Sequence, residues 1–329
     1  MLSPRDNFLR LLNCEVPEYI PEYQIIWGIL GGPSALGARE NPDGTGFDKW
    51  GVEWEVGNTP FAASLPKPGQ FQLEDITKWR DVIKAPDFSD LDWADMAAKD
   101  QEMFRNPEIP YGGGTAPGVG FFESLGAFMG FDMALIACAE EPAEVKALMD
   151  YLTNWSVDLA KKYIYHYKPD YGFFGDDIAH ERNPFVSLET FRELFAPAWR
   201  ALYAVFVEAG IPCVHHNCGH FELFLDDLVD MGVTAWDPVQ SSNDAPAIKA
   251  KYGNRLALCE LYEVRFSDED ESEEKIRADF NAHVSELAAG GGYALFALQP
   301  GEMGYTDKEH QHSAWINAEF EKIRYDIYK

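Results

Sequence analysis

His216 and Cys218 stand two residues apart in the stretch Cys213-Val-His-His-Asn-Cys-Gly-His220. In extended chain, residues i and i+2 point to the same side. An imidazole and a thiolate placed this way can reach one ion, and nitrogen and sulfur donors suit Zn2+. A catalytic zinc takes about three protein ligands and keeps one position open. The third ligand must therefore come from another strand. Glu302 and Cys259 are the candidates, with His220 and Glu260 behind them. His215 is out of phase with His216 and is expected to face a wall or a helix.

A second pair is acidic. Asp176 and Asp177 follow the apolar run Tyr171-Gly-Phe-Phe174 and Gly175. Adjacent residues in extended chain point opposite ways, so one acid is expected to face a cavity. There a partly dry setting would raise its pKa and let it give or take a proton. The other is expected to cap a helix or turn, or to pair with Arg182.

These residues need elements to hold them. Helical patterns over Pro142–Tyr167, Leu188–Ala209, Phe221–Met231, Ala245–Tyr252, Glu273–Ala289 and Ser313–Tyr328 alternate with short apolar strands. The strands begin at Tyr171, Cys213, Thr234, Leu256 and Tyr293. Further upstream, Ile25–Leu30 reads as a strand and residues 3–13 as a helix with Phe8, Leu11 and Leu12 on one face. Strand–helix alternation gives a parallel sheet with right-handed crossovers. The expected fold is α/β, a distorted (β/α)8 TIM-type barrel formed by residues 1–329 as a single domain. A Gly-, Pro- and Trp-rich excursion of β-hairpins is expected at about 33–70. After each strand comes a polar residue: Asp176 and Asp177, His216 and Cys218, Gln240, Glu260, then Gln299 and Glu302. In a parallel barrel all these points converge on one mouth, where active sites are built.

Composition narrows the partners. The net charge of -28 repels nucleic acid and anionic membranes, because both are bound through Lys and Arg. Five cysteines in 329 residues are an odd number in a large chain. That argues for free thiols in a reducing cytoplasm rather than a disulfide scaffold. The N-terminus lacks the basic start of a signal peptide, and no apolar run approaches the ~18 residues of a membrane helix. A cytoplasmic protein, as a monomer or a homo-oligomer, is expected.

Several stretches together resemble the uroporphyrinogen-decarboxylase superfamily. They are Trp50-Gly-Val-Glu-Trp, Gly175-Asp-Asp, Phe191-Arg-Glu-Leu-Phe-Ala-Pro, His216-Asn-Cys-Gly, Leu228-Val-Asp-Met-Gly-Val, Asp237-Pro-Val-Gln and Gly290-Gly-Gly-Tyr. The resemblance implies the distorted barrel. True decarboxylases of that family carry an Arg-rich N-terminal signature for porphyrinogen carboxylates. Here the corresponding region reads Trp27-Gly-Ile-Leu-Gly-Gly-Pro, with no Arg before Arg39. The resemblance therefore points to the branch of zinc-dependent methyltransferases that work with a corrinoid (cobalamin) protein.

That branch binds zinc through His-x-Cys and a further Cys near the barrel's end. His216 and Cys218 match the first part, and Glu302 stands where the last Cys would be. A His/Cys/Glu zinc carries less negative charge than a two-thiolate site and polarises an ether oxygen better. The implied activity is O-demethylation of a small methylated substrate, an aryl ether being one form, with the corrinoid on a partner protein. Asp177 or Asp176 would be catalytic, and Gln240, Glu260, Gln299 and Phe122 would line the substrate pocket. Phe121, Trp54 and Phe174 would add aromatic surface. The other two readings are a cofactor-free decarboxylase or lyase and a barrel that binds without catalysis.

Overall fold

The computed structural model describes residues 1–22, 33–37, 39–41, 43–57, 64–114, 119–262, 272–297 and 307–328. The expected strand Ile25–Leu30 lies outside them, as do Gln299 and Glu302.

Helix α1 (Pro4–Leu12) opens the chain, with the Ser3 side chain accepting the Asp6 N–H. After the short helix α2 (Ser34–Gly37) come strands β1 (Gly46–Phe47), β2 (Glu53–Val56) and β3 (Ser64–Pro66), paired antiparallel. This is the stretch where glycines and tryptophans predict hairpins. Asp48 organises it, accepting N–H bonds from Trp50, Val52 and the Trp54 indole. Helices α3 (Trp79–Val82) and α4 (Trp93–Phe104) lead to β4 (Gly112–Gly113). Helices α5 (Phe121–Met129), α6 (Phe131–Glu140) and α7 (Pro142–Tyr167) follow.

From there strand and helix alternate. The order is β5 (Tyr171–Gly175), α8 (Leu188–Leu194), α9 (Ala196–Glu208), β6 (Cys213–His216), α10 (Leu225–Asp230), β7 (Val233–Val239), α11 (Ala245–Tyr252), β8 (Ala257–Tyr262), α12 (Glu273–Ala288), β9 (Tyr293–Ala297) and α13 (Asp307–Ile323). The single helix expected over Leu188–Ala209 is broken at Phe195. Pro197 sits in the first turn of α9, where its missing N–H costs nothing, whereas mid-helix it would remove a bond and clash.

Strands β4 to β9 form one six-stranded parallel sheet in chain order. Glu22 makes a parallel bridge to Leu295, extending the pairing beyond β9. The fold is an α/β TIM-type barrel. Period-two alternation divides each strand between two cores. Tyr171, Phe173, Val214, Ala235, Ala257, Cys259 and Ala294 point inward and form one cluster with Phe8, Leu11 and Leu12 of α1. Phe174, Cys213, Trp236, Leu258, Tyr293 and Leu295 point outward and join the larger core under the helices. Helix α1 lies at the end where the strands begin, tied there by Arg5 to Asp170, one residue ahead of β5. It closes the floor of the barrel, opposite the end where the strands finish.

Among the described residues, no single helix is long and apolar enough to cross a membrane.

The floor is testable. Phe8 is fully buried in the cluster that fills the barrel's floor. Phe8→Ala is expected to lower unfolding free energy by about 3–5 kcal/mol in a denaturant titration.

Candidate metal centre

The end opposite this floor is built from the ends of β5, β6 and β7. Gly175 of β5 is paired with His216 of β6, and His216 in turn with Asp237 of β7. Three adjacent strands thus bring Gly175, His216 and Asp237 side by side.

Asp176 points outward. Its carboxylate is buried and accepts backbone N–H bonds from Phe121, Phe122 and Glu123, and a fourth bond from the Trp199 indole at 2.8 Å. It caps α5, whose dipole favours negative charge there. Burial raises its pKa to about 6, against the lowering effect of these donors. The carboxyl is therefore ionised at neutral pH. Gly120, immediately before α5, must be glycine, because a Cβ would lie 2.1 Å from an Asp176 oxygen.

Asp177 consequently turns to the other side. Its Oδ1 accepts the Cys218 N–H at 2.8 Å and lies 3.8 Å from His216 Nε2. His216 Nε2 is 3.7 Å from Cys218 Sγ. The three ligand atoms lie within 4.8 Å of one another. Zinc bonds of about 2.0–2.3 Å at tetrahedral angles put ligand atoms roughly 3.4–3.6 Å apart. The observed spacings are close to the edges of that tetrahedron, and the donor set of one imidazole, one thiol and one carboxylate suits Zn2+. Among the described residues, Asp177, just past β5, is the group that joins His216 and Cys218, while Glu302 lies outside them. Cys259 is corrected as a candidate: it is fully buried in the barrel interior, where burial and then the nearby Asp237 charge hold its thiol well above the ordinary value. His220 is turned away, its Nδ1 2.7 Å from the Ser242 carbonyl.

Asp237 completes the centre. Its Oδ2 lies 3.2 Å from His216 Nδ1, the arrangement by which a carboxylate orients a metal-binding histidine. Burial opposes a charge on His216, but Asp237, Cys218 and Asp177 outweigh it and hold the imidazolium well above its ordinary pKa. Burial raises the Cys218 thiol, with Asp177 and Asp237 adding to the rise and His216 opposing it. His215 faces outward as its phase predicts. It is buried against Trp199 and Phe221, with Nδ1 2.5 Å from the Tyr203 hydroxyl.

The loop after β6 is held from several sides. Asn217 donates to the Asp176 carbonyl, accepts from the Trp236 indole and gives its backbone N–H to the Asp237 carbonyl. Asn243 accepts the Phe221 N–H and donates to the Gly219 carbonyl. Gly219 has φ +84° and passes so near His180 that a Cβ would lie 2.7 Å from its carbonyl oxygen. Gln240 Oε1 accepts the Gly219 N–H at 2.6 Å.

Beside Cys218 opens a pocket of about 420 Å3, walled by Ala179 and Phe185 on one side and by Gln240, Ser241 and Ser242 on the other. Gln240 lines it as expected. Two other expected pocket residues do not. Glu260 points outward from β8, bonded to His283 at 2.7 Å and to the Tyr293 hydroxyl, because Cys259 before it points inward. Phe122 is buried between Phe131, Phe185 and Phe195. Trp54, Phe121 and Phe174 are likewise core residues. Asp237, Asn243 and Glu123 were not singled out from the sequence. Glu123 has its carboxyl pushed up to about 7 by burial and by Asp177 and Asp176. The signal for Asp237 is its place two positions after Ala235, which points inward, so that it shares that residue's face.

The fold and these side chains define a TIM-type barrel with a strand-end ligand cluster facing a polar pocket. Residues 116–259 match the family model for uroporphyrinogen decarboxylase (URO-D), a span that holds Asp177, His216, Cys218 and Asp237. A methyltransferase from Methanosarcina mazei shares the fold at a TM-score of 0.60 and 15% identity, over 98% of this chain and 99% of that one. No curated protein matches by sequence. Over residues 116–259 the chain is thus similar to the uroporphyrinogen-decarboxylase family, and its fold is that of the Methanosarcina mazei methyltransferase.

Two outcomes are expected from Asp176→Asn. The amide can accept from α5 with its oxygen alone, so stability at pH 7 falls by about 2 kcal/mol. The native carboxyl is raised, so its ionisation opposes folding as pH climbs from about 4 through about 6. That loss of roughly 3 kcal/mol over the interval disappears in the variant's urea-derived stability–pH profile.

Proposed function

We propose that this protein is a zinc-dependent methyltransferase that moves a methyl group from a small O-methyl compound to the cobalt of a corrinoid carried by a partner protein. The observation that supports it most is the cluster of Asp177, His216 and Cys218, with His216 Nε2 3.7 Å from Cys218 Sγ and 3.8 Å from Asp177 Oδ1, near the edges of a tetrahedral ion's ligand set, beside a pocket. The fold likeness to a methyltransferase agrees with it.

Asp177, His216 and Cys218 would hold the ion. When bound, zinc supplies Lewis acidity at the oxygen that keeps the C–O electron pair, and the corrinoid supplies the two-electron nucleophile that takes the methyl group. The chain's own residues do the rest. Asp237 fixes the His216 ring through Nδ1, leaving Nε2 toward Cys218 and Asp177. Gln240 anchors Gly219 through its oxygen, so its amide nitrogen is a donor for a substrate oxygen. Ser241 and Ser242 add hydroxyls along the same wall, while Ala179 and Phe185 give apolar surface.

A cofactor-free decarboxylase is the second reading, favoured by the family match itself. It requires basic groups to hold carboxylates, and the described residues lining the pocket include no Lys or Arg.

Elemental analysis of protein purified without chelator is expected to give about one zinc per chain. Asp177→Ala, His216→Ala and Cys218→Ala should each lose it, and Asp237→Asn should weaken binding about 10–100-fold. A protein that takes up no zinc even after reconstitution would refute the reading. Occupancy has a defined pH dependence. The His216 imidazolium and the Cys218 thiol, both raised in the absence of metal, must lose protons to bind it. Apparent affinity, read by competition with a chelator, should therefore fall as pH drops, by up to about tenfold per unit for each proton displaced.

A further inference from the structure

Two side chains at the pocket beside Cys218 are held in the same way. His180 and Gln240 both line it, and each has its acceptor end taken by a backbone N–H. The Arg182 N–H donates to His180 Nδ1 at 3.3 Å. The Gly219 N–H donates to Gln240 Oε1 at 2.6 Å. A neutral imidazole carries its proton on one ring nitrogen and accepts at the other. With Nδ1 accepting, the His180 proton is on Nε2. With Oε1 accepting, the Gln240 amide is oriented so that its NH2 group is the free end. Among the described residues, neither Nε2 donates to a protein acceptor.

Both residues are locked to Gly219. A Cβ there would lie 2.7 Å from the His180 carbonyl oxygen, which accepts the His220 N–H. The His180 N–H closes a turn onto the Asn183 carbonyl at 2.9 Å. Two neutral donors preset in this way suit an oxygen that only accepts. They lose little freedom on binding it. Facing an apolar group instead, they give up their water without return. A carbonyl oxygen has two lone pairs and can accept two such bonds. Both donors are distinct from Asp177, His216 and Cys218, so an ion held by those three leaves them available. The Phe185 ring, braced edge-on by Phe131 at 4.7 Å, adds a fixed apolar surface to the same pocket.

Resting on the reading of this pocket as the methyl donor's site, we propose that His180 Nε2–H and the Gln240 amide form a donor pair that holds a carbonyl-type oxygen, which the methyl donor bears in addition to its methoxy group.

The test uses 4-methoxyacetophenone and 4-ethylanisole, which differ only by a carbonyl in place of a methylene. Their affinities for the full chain are measured by ligand-observed NMR, with zinc and after chelation. The ketone is expected to bind on the order of tenfold more tightly. His180→Phe and Gln240→Glu each remove one donor, the second while keeping an oxygen to accept the Gly219 N–H. Each should cut the ketone's advantage to about threefold and leave the ethylanisole affinity, which reports an intact pocket, nearly unchanged. Without any ligand, long-range proton–nitrogen correlation spectra at about pH 8, with the His180 signal assigned through His180→Phe, should show the ring proton on Nε2. A ring proton on Nδ1 overturns the proposal. So does equal or tighter binding of ethylanisole by the wild type, a preference unchanged in both variants, or no binding of the ketone. Zinc stoichiometry is scored separately. A ketone preference that persists in a protein unable to hold zinc keeps the donor pair and sinks the methyltransferase reading alone.

Discussion

The buried carboxylate of Asp176 accepts three backbone N–H groups from the start of α5 and a fourth from Trp199. A buried charge is tolerable only with such full pairing, so the side chain has one place it can be. The geometry of the mouth follows. With Asp176 fixed outward at the end of β5, the alternation of extended chain sends Asp177 inward. The β5–β6 pairing of Gly175 with His216 then places that second carboxylate against the imidazole. One residue is spent on structure so that its neighbour is available for chemistry.

The same division runs along β6 and β7. His215 is packed outward among aromatic rings while His216 faces the mouth. Trp236 bonds outward to the Asn217 carbonyl while Asp237 faces His216. Paired neighbours of opposite fate keep the three strand ends rigid. The inward groups therefore need little reorganisation to receive an ion, which favours tight binding. The loop of Asn217 to Phe221 is held by Asn243 and by its contact with His180, so Cys218 is fixed although it lies beyond the last strand residue.

Electrostatics at the mouth is dominated by carboxylates: Asp177, Asp237, Glu123 and, at the rim, Glu181. They make a site whose negative field suits a divalent cation.

Much of this was legible in the sequence because it is local. The alternation of strand and helix is written in hydrophobic periodicity, and the phase of His215 against His216, and of Cys218 with His216, follows from the geometry of extended chain. The same alternation would have excluded Glu260 once Cys259 was taken as inward. Other facts are long-range and have no local trace. The sequence by itself determined the fold class, the mouth, and the pair His216 and Cys218. Only the tertiary structure decided that Asp177 joins them, that Phe122 is core, and that Asp237 stands behind the imidazole. These depend on the register of β5, β6 and β7 and on the packing of α5 against Asp176, which bring together residues 21 to 55 positions apart in the chain.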